Sequence, residues 1–509
     1  MSVLVGSELG FEEIVAVAAR AVEVGVAEGV KQRMGAARRI VEDAVRNEET
    51  VYGVTTGFGG LSNVRIDPSE AERLQQDIVR SHATAVGPPL PAEVVRAMML
   101  LRARTFAFGI SGVRFEVVER LVSFLNEGIH PIVPSQGSLG ASGDLALLAH
   151  LALPLLGEGD VEFGGARIPA ARALAKAGLE PLLPSFKEGL SLVNGTEGML
   201  ALGILTCNAA ERLARTADLA GAMTLEACLG TDRAFDDELI RLRAHPGAPL
   251  VADNLRRLLA GSAIVASHRY SDHLVQDAYS LRCMPQVHGA YRDGIAYVRR
   301  TLEAELASAV DNPSILVGRG EVLSGGNFHG EALGLALDHL CLCLVGYATI
   351  SERRVARLVD PELNNGLPAF LTTDPGRRSG FMLTQYTAAS LVSESRSLCF
   401  PSSVDSIPTS AGQEDHVSMG MTSARRAAQI LVNSERVIAI ELLAAAQGLE
   451  LRAPLDPAPG TDAALKILRT ASSYLDEDRS LARDIEAARE LVASDVLEEA
   501  VAEAIGGLS

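Results

Sequence analysis

Ala141-Ser142-Gly143, inside the stretch Gly137-Ser-Leu-Gly-Ala-Ser-Gly-Asp144, has the residue types for a reaction of the chain with itself. If the Gly143 amide nitrogen attacks the Ala141 carbonyl carbon, a five-membered ring closes and one water leaves. Loss of the Ser142 hydroxyl as a second water leaves an exocyclic methylene. The product is a methylidene-imidazolone (MIO), an electrophile that needs no external cofactor. Gly143 has no Cβ to block the tight approach, Ala141 is small, and Ser142 supplies the hydroxyl to be eliminated. The same string also reads as a glycine-rich helix entry, with Ser142 or Asp144 capping the first free N–H groups.

Other polar residues stand out by their neighbourhood. Tyr52 opens a glycine-punctuated loop, Tyr52-Gly-Val-Thr-Thr-Gly-Phe-Gly59, which lacks the Lys-Ser/Thr of a phosphate loop. His82 follows Leu74 and Ile78 at four-residue spacing, on one side of a helix; a lone histidine there also serves as a satisfied core residue. Gln276, Tyr279 and Arg282 repeat every three residues, so a helix would set them on an arc of roughly 120°. Arg282 suits a carboxylate, which its planar fork binds bidentately, although a solvated face accounts for the same pattern. Pro285 is expected to end or kink that turn. Glu414, in Gln413-Glu-Asp-His-Val-Ser-Met419, fits either a capping and salt-bridge network or a recognition site. No second ligand pair at workable spacing supports a metal.

The string Gly137 to Leu145 resembles the signature of the MIO-dependent ammonia-lyases and aminomutases, and the resemblance runs from about Tyr52 to about Gln447. It implies a self-derived MIO from Ala141, Ser142 and Gly143, whose methylene captures the substrate amine and makes it a better leaving group. Tyr52 falls on the position of the catalytic base, and its phenol needs N–H donors or positive charge nearby to lose its proton at neutral pH. Asn194, in Gly189-Leu-Ser-Leu-Val-Asn-Gly-Thr196, matches a residue beside the ring that forms and orients it. Tyr279 and Gln276 match orienting residues, Arg282 the carboxylate holder, and Phe328 a pocket-lining ring. Ser81-His82 and Glu414 resemble the histidine-directed branch, in which they grip the substrate imidazole. The implied reaction is elimination of ammonia from L-histidine to trans-urocanate, the first step of histidine degradation. The alternative is a tyrosine- or phenylalanine-directed ammonia-lyase or 2,3-aminomutase, which Ser81-His82 permits and Glu414 opposes. Leu147 stands where the signature usually has Pro, and Ala278, Met284, Gly412 and Glu197 also depart from many bacterial members. They put substrate strength in doubt more than reaction type.

The elements that must position these residues are mostly helices. Apolar periodicity predicts amphipathic helices over 11–24 and 34–47, and Asp67-Pro-Ser-Glu70 reads as a helix start. Further helices are expected over 91–108 and 115–127, the latter stopped by Gly128. Long apolar helices should run to about Leu229, from about Gly330, and through about Gln447. Small hairpins are expected over 161–168, turning on Gly164-Gly165, and over 315–323. The expected class is all-α with a few short hairpins, built on a long central helix bundle of the ammonia-lyase type. Residues 1–197 would form an N-terminal MIO-bearing region, 198–450 the central bundle, and 451–509 a helical cap.

The totals fit that class. The chain has 509 residues, of which 48% are hydrophobic and only 4% aromatic, so the core is aliphatic. A net charge of −18 argues against nucleic acid and anionic membrane as partners. Glu8, Glu12 and Glu13 precede any Arg, unlike a signal peptide, and Asp338-His339 interrupts the apolar run 332–350. Six cysteines without metal spacing read as reduced thiols of a cytoplasmic protein. Long apolar helices would expose too much surface in a monomer. The resemblance implies a homotetramer with active sites shared between chains.

Overall fold

The computed structural model describes every residue except 1, 48, 54, 55, 58, 62–65, 68, 69, 141, 142, 272 and 273. Ala141, Ser142, part of the Tyr52 loop and the Pro68-Ser69 helix start therefore lie outside the described residues. Among the described residues the chain forms twenty α-helices and nine short strands.

The residues gather into two compact units, each assembled from separated segments. The first comprises Met1–Leu205, Arg299–Asp338 and Pro401–Arg425; the second comprises Thr206–Val298, His339–Phe400 and Arg426–Ser509. In the first unit the Ala92–Ala107 helix is buried almost all round, so its polar residues must find partners inside. Arg96 does so through the carbonyls of Val17 and Leu125, at 2.8 Å each. Phe115–Glu127 presents Val117, Val118, Leu121, Phe124 and Leu125 to the core and ends at Gly128 (φ +70), a left-handed cap without a Cβ penalty. In the second unit Ala348, Val355, Ala388, Val392, Val437 and Ile440 pack into one aliphatic cluster.

The expected hairpins form. Asp160–Phe163 pairs antiparallel with Ala166–Pro169 around Gly164 and Gly165, both at positive φ, and Ser314–Leu316 pairs with Glu321–Leu323. The first helix is shorter than the apolar period suggests. It covers Phe11–Ala18; Arg20 (φ +58) then reverses the chain, and Glu23–Val26 pairs parallel with Ser2–Val5. Alternation of Val22, Val24 and Val26 with polar or small residues is a strand period, and it overrides the helical one. The other predicted helices appear as Val30–Arg46, Ala92–Ala107, Glu197–Ala227, Glu331–Val359 and Gly420–Glu450. Glu331–Val359 is long and apolar enough to cross a bilayer by length and composition. It carries Asp338 and His339, and Leu333, Leu337, Leu340 and Leu344 along it are buried. No disulfide joins the six cysteines.

Candidate active site

The Gly137–Asp144 loop is fixed from several sides within the first unit. Gly330 N–H (3.0 Å) and Ser418 Oγ (3.0 Å) both donate to the Gly140 carbonyl, and Met419 N–H donates to that of Leu139 (2.8 Å). Gly143 (φ +72) bridges Gly195 in parallel, and the Asp144 amide donates to the Gly195 carbonyl at 2.6 Å. A Cβ on Gly143 would fall inside the van der Waals envelope of that carbonyl. Glycine is therefore required here by contact as well as by φ.

Asp144 does not cap the helix that follows it. Leu145–Ala152 starts without a side-chain cap. The buried Asp144 carboxylate instead accepts from Ser138 Oγ (2.7 Å) and from the Met199 amide (2.8 Å), in the first turn of the Glu197–Ala227 helix. Burial pushes its carboxyl up to about 6, against the pull of the Ser138 and Met199 donors.

Asn194 ends the Glu188–Val193 helix. Its Nδ2 donates to the Asn312 carbonyl (3.0 Å), and its own carbonyl accepts from Arg102 Nη1 (2.9 Å). Its Oδ1 is buried without a hydrogen-bond partner among the described residues. Two buried ion pairs hold this region. Arg102 meets Glu197 at 3.0 Å, where Thr105 Oγ1 also donates to the carboxylate, and Lys187 meets Asp311 at 2.9 Å with no exposure of either side chain. Ser191 Oγ adds a second contact to Asp311 (2.9 Å), one residue before the Asn312 carbonyl that anchors Asn194. Burial lowers the Lys187 pKa while Asp311 opposes the shift. Lys187→Met should lower unfolding stability by about 3–5 kcal/mol, because it strands a buried carboxylate. Pairing it with Asp311→Asn should recover part of that loss. Denaturant melts of the two variants and the double mutant check this; additive losses would contradict a coupled pair.

A cavity of about 970 Å³ in the first unit has Tyr52, Ile78, His82, Asn194, Phe328 and Glu414 on its wall. Leu74 and Ile78 join His82 there, so the four-residue spacing of the Ala71–His82 helix faces the cavity as expected. The Tyr52 hydroxyl oxygen accepts from the Gly59 amide at 3.2 Å. His82 Nδ1 lies 2.9 Å from the Ile78 carbonyl and 3.2 Å from Ser81 Oγ. A carbonyl only accepts, so Nδ1 is the donor in this contact. Glu414 pairs with Thr409 by an antiparallel bridge, and its Oε2 accepts from Thr409 Oγ1 at 3.1 Å. A smaller chamber of about 220 Å³ lies against Gly143 and Leu139. Ser81, His82, Leu145 and Glu414 line both chambers.

Three expected site residues behave differently. Gln276, Tyr279 and Arg282 belong to the second unit and line neither chamber of the first. Nor do all three share one helix. Ala278 is extended (ψ 157°), the helical turn covers only Tyr279–Arg282, and Gln276 sits in a bend before it. Arg282 Nε donates to the Asp277 carbonyl (2.8 Å), and its guanidinium lies 4.6 Å from the Tyr279 ring centre. As expected, the turn stops just ahead of Pro285, at Cys283, and Pro285 lies in the first turn of Met284–Leu306, where a missing N–H costs nothing. Leu147 is fully buried in the Leu145–Ala152 helix, so the absence of Pro there leaves the helix entry intact.

Other wall residues carried no signal of their own. His329 and His416 stack at 5.8 Å between ring centres, and Asn312, within a turn sequence, presents Oδ1 to the Gly325 amide at 2.8 Å. Only the Gly-Asn-Phe-His and Glu-Asp-His strings around them could have drawn attention.

The family model for aromatic amino acid lyases matches residues 9–470. The histidine ammonia-lyase of Gloeobacter violaceus is 53% identical over 506 residues, spanning 99% of this chain and 98% of the relative. That of Symbiobacterium thermophilum is 51% identical over 506 residues, 99% of each. Among solved structures, histidine ammonia-lyase from Trypanosoma cruzi superposes with a TM-score of 0.91 at 40% identity, covering 99% of this chain and 96% of that one. Tyrosine aminomutase from Streptomyces globisporus gives 0.95 at 37%, covering all of both chains. A match to the family model over most of its length, with half-identical relatives end to end, makes this chain a carbon–nitrogen lyase that belongs to the aromatic amino acid lyase family.

Proposed function

We propose that this chain removes ammonia from L-histidine, giving trans-urocanate, as the first step of histidine degradation in the cytoplasm. The observation that carries the reading is the position of His82 and Glu414, which line both the Tyr52 cavity and the Gly143 chamber. An imidazole-bearing substrate can therefore be gripped at one end while its amino-acid end reaches the loop. The residues present fit an MIO made from Ala141, Ser142 and Gly143. A glycine is demanded at position 143 by contact and by φ, Ala141 is small, and Ser142 carries the hydroxyl to be eliminated. When formed, the group supplies an electrophilic methylene that makes the substrate's nitrogen a better leaving group.

The chain's own residues do the rest. Tyr52 takes the β-proton as general base, its oxygen held by the Gly59 N–H at 3.2 Å. His82 and Glu414 grip the substrate imidazole, Glu414 as hydrogen-bond or proton acceptor. Asn194 holds the ring's orientation, and Phe328 closes the wall. Arg282 holds the carboxylate, with Tyr279 and Gln276 beside it. We assign these three to neighbouring copies in a homotetramer, so that each active site is completed by more than one chain. Tyr279 is 72% exposed in the single chain, and Leu342, Leu383 and Tyr386 on the long helices of the second unit are exposed as well.

Purified protein offered L-histidine, L-tyrosine and L-phenylalanine in parallel tests the reading, with conjugated product and ammonia both followed. Urocanate from histidine is the expected result; turnover of tyrosine or phenylalanine instead would overturn it. Glu414→Gln should lower kcat/KM for histidine by about 10- to 150-fold, the worth of a hydrogen bond to a charged group. Equal losses on any residual tyrosine or phenylalanine turnover would remove Glu414 from substrate choice.

A further inference from the structure

We propose that the first unit carries a second binding site, a cavity that takes a small monocarboxylate with an apolar body on the guanidiniums of Arg33 and Arg104. This cavity, about 650 Å³, shares no lining residue with the chamber at Tyr52. Its wall includes Arg33, Arg104, Glu8, Glu303, Phe108 and Leu306.

Arg104 is the unusual member. It is 6% exposed, yet among the described residues no carboxylate lies within ion-pair distance of it. Among the described residues its one hydrogen bond runs from Nη1 to the Ser308 carbonyl (2.9 Å), and its guanidinium lies 4.6 Å from the Phe108 ring centre. Burial lowers its pKa to about 10, against the longer-range pull of Glu197 and Glu305, so it stays charged at neutral pH. A desolvated cation with most of its donors unspent is costly unless an anion meets it. None of its nitrogens is both fully buried and unpartnered, so the unspent donors face open space. Arg33, from the Val30–Arg46 helix, adds a second guanidinium, held through Nε to the Ala107 carbonyl (3.3 Å).

The wall also sets the shape of the occupant. Of its two acids, Glu303 already accepts from Arg299 Nε (2.9 Å), and Glu8 is exposed. They confine the anion to the arginine side. Phe108 and Leu306 offer apolar surface to the body of the ligand, and the volume suits a small molecule. Guanidiniums on one cavity wall bind a carboxylate with charge-assisted, directional bonds that a neutral amide cannot replace.

The test is titration of the full-length protein with 4-fluorobenzoate, followed by fluorine NMR, with 4-fluorobenzamide as the neutral control. The carboxylate should bind and the amide should not. Affinity should fall by about threefold in Arg33→Gln and by about tenfold or more in Arg104→Met. The same component should persist in Glu414→Gln, which separates this site from the proposed substrate cavity. If Arg104→Met fails to fold, Arg33→Gln decides, since that side chain is exposed. Unchanged affinity in Arg33→Gln, equal binding of the amide, or loss of the component in Glu414→Gln would each overturn the proposal.

Discussion

Gly143→Ala should yield a folded chain that keeps its full encoded mass, never losing two waters, with turnover down by more than about a hundredfold. Ring closure needs the nitrogen of residue 143 to approach the carbonyl carbon of residue 141 closely. The Gly143 backbone is held at φ +72 against Gly195, with the Asp144 amide bonded to the Gly195 carbonyl at 2.6 Å. A methyl group placed there meets that carbonyl head-on. The two backbone segments must then separate, and Asn194, one residue from the contact, moves with them. A displacement of about 1 Å is enough to cost two orders of magnitude in rate. Overpacking should also lower stability by about 1–3 kcal/mol. Ser142→Ala serves as the companion, because it removes the hydroxyl to be eliminated without adding an atom. It should likewise keep its own full encoded mass and be silent in turnover, with an unchanged melting temperature. Intact-mass spectrometry and thermal melts of both variants read all of this. A Gly143→Ala chain that loses two waters and turns over normally would show that the contact with Gly195 does not govern maturation.

What could be read in advance follows the range of the interaction. The cavity face of Ala71–His82 was visible because Leu74, Ile78 and His82 lie within two helical turns and share one side by geometry alone. The turn at Gly164-Gly165 was visible because both residues must adopt positive φ. The Asp144 cap was not, because its partner amide, Met199, lies 55 residues away on another helix. The same holds for the stacked His329 and His416, and for the Lys187–Asp311 pair, separated by 124 residues. Gln276 shows the opposite failure. A regular three-residue spacing read as a helix, but extended Ala278 breaks the backbone between Gln276 and Tyr279. Glu23–Val26 shows two periods competing over the same residues, decided by a strand partner, Ser2–Val5, outside the window. Both compact units draw on three separated segments, which no linear division of the chain displays.

Tyr52→Phe should separate maturation from catalysis. The phenol contributes one oxygen to the cavity, and that oxygen accepts the Gly59 amide at 3.2 Å. Phenylalanine fills the same volume, so the wall and the Gly143 loop are left as they were. The variant should therefore still lose two waters, since none of the three residues that form the ring is touched. Turnover should fall by about 10²–10⁴-fold, the usual contribution of a positioned general base. The loss should appear in kcat, with KM for histidine little changed, because the phenol acts on the β-proton in the transition state rather than on the bound ground state. Intact mass, kcat and KM measured together distinguish the outcomes. A variant that keeps the wild-type kcat would assign the β-proton to another group on the wall, with the Glu414 carboxylate the next to test.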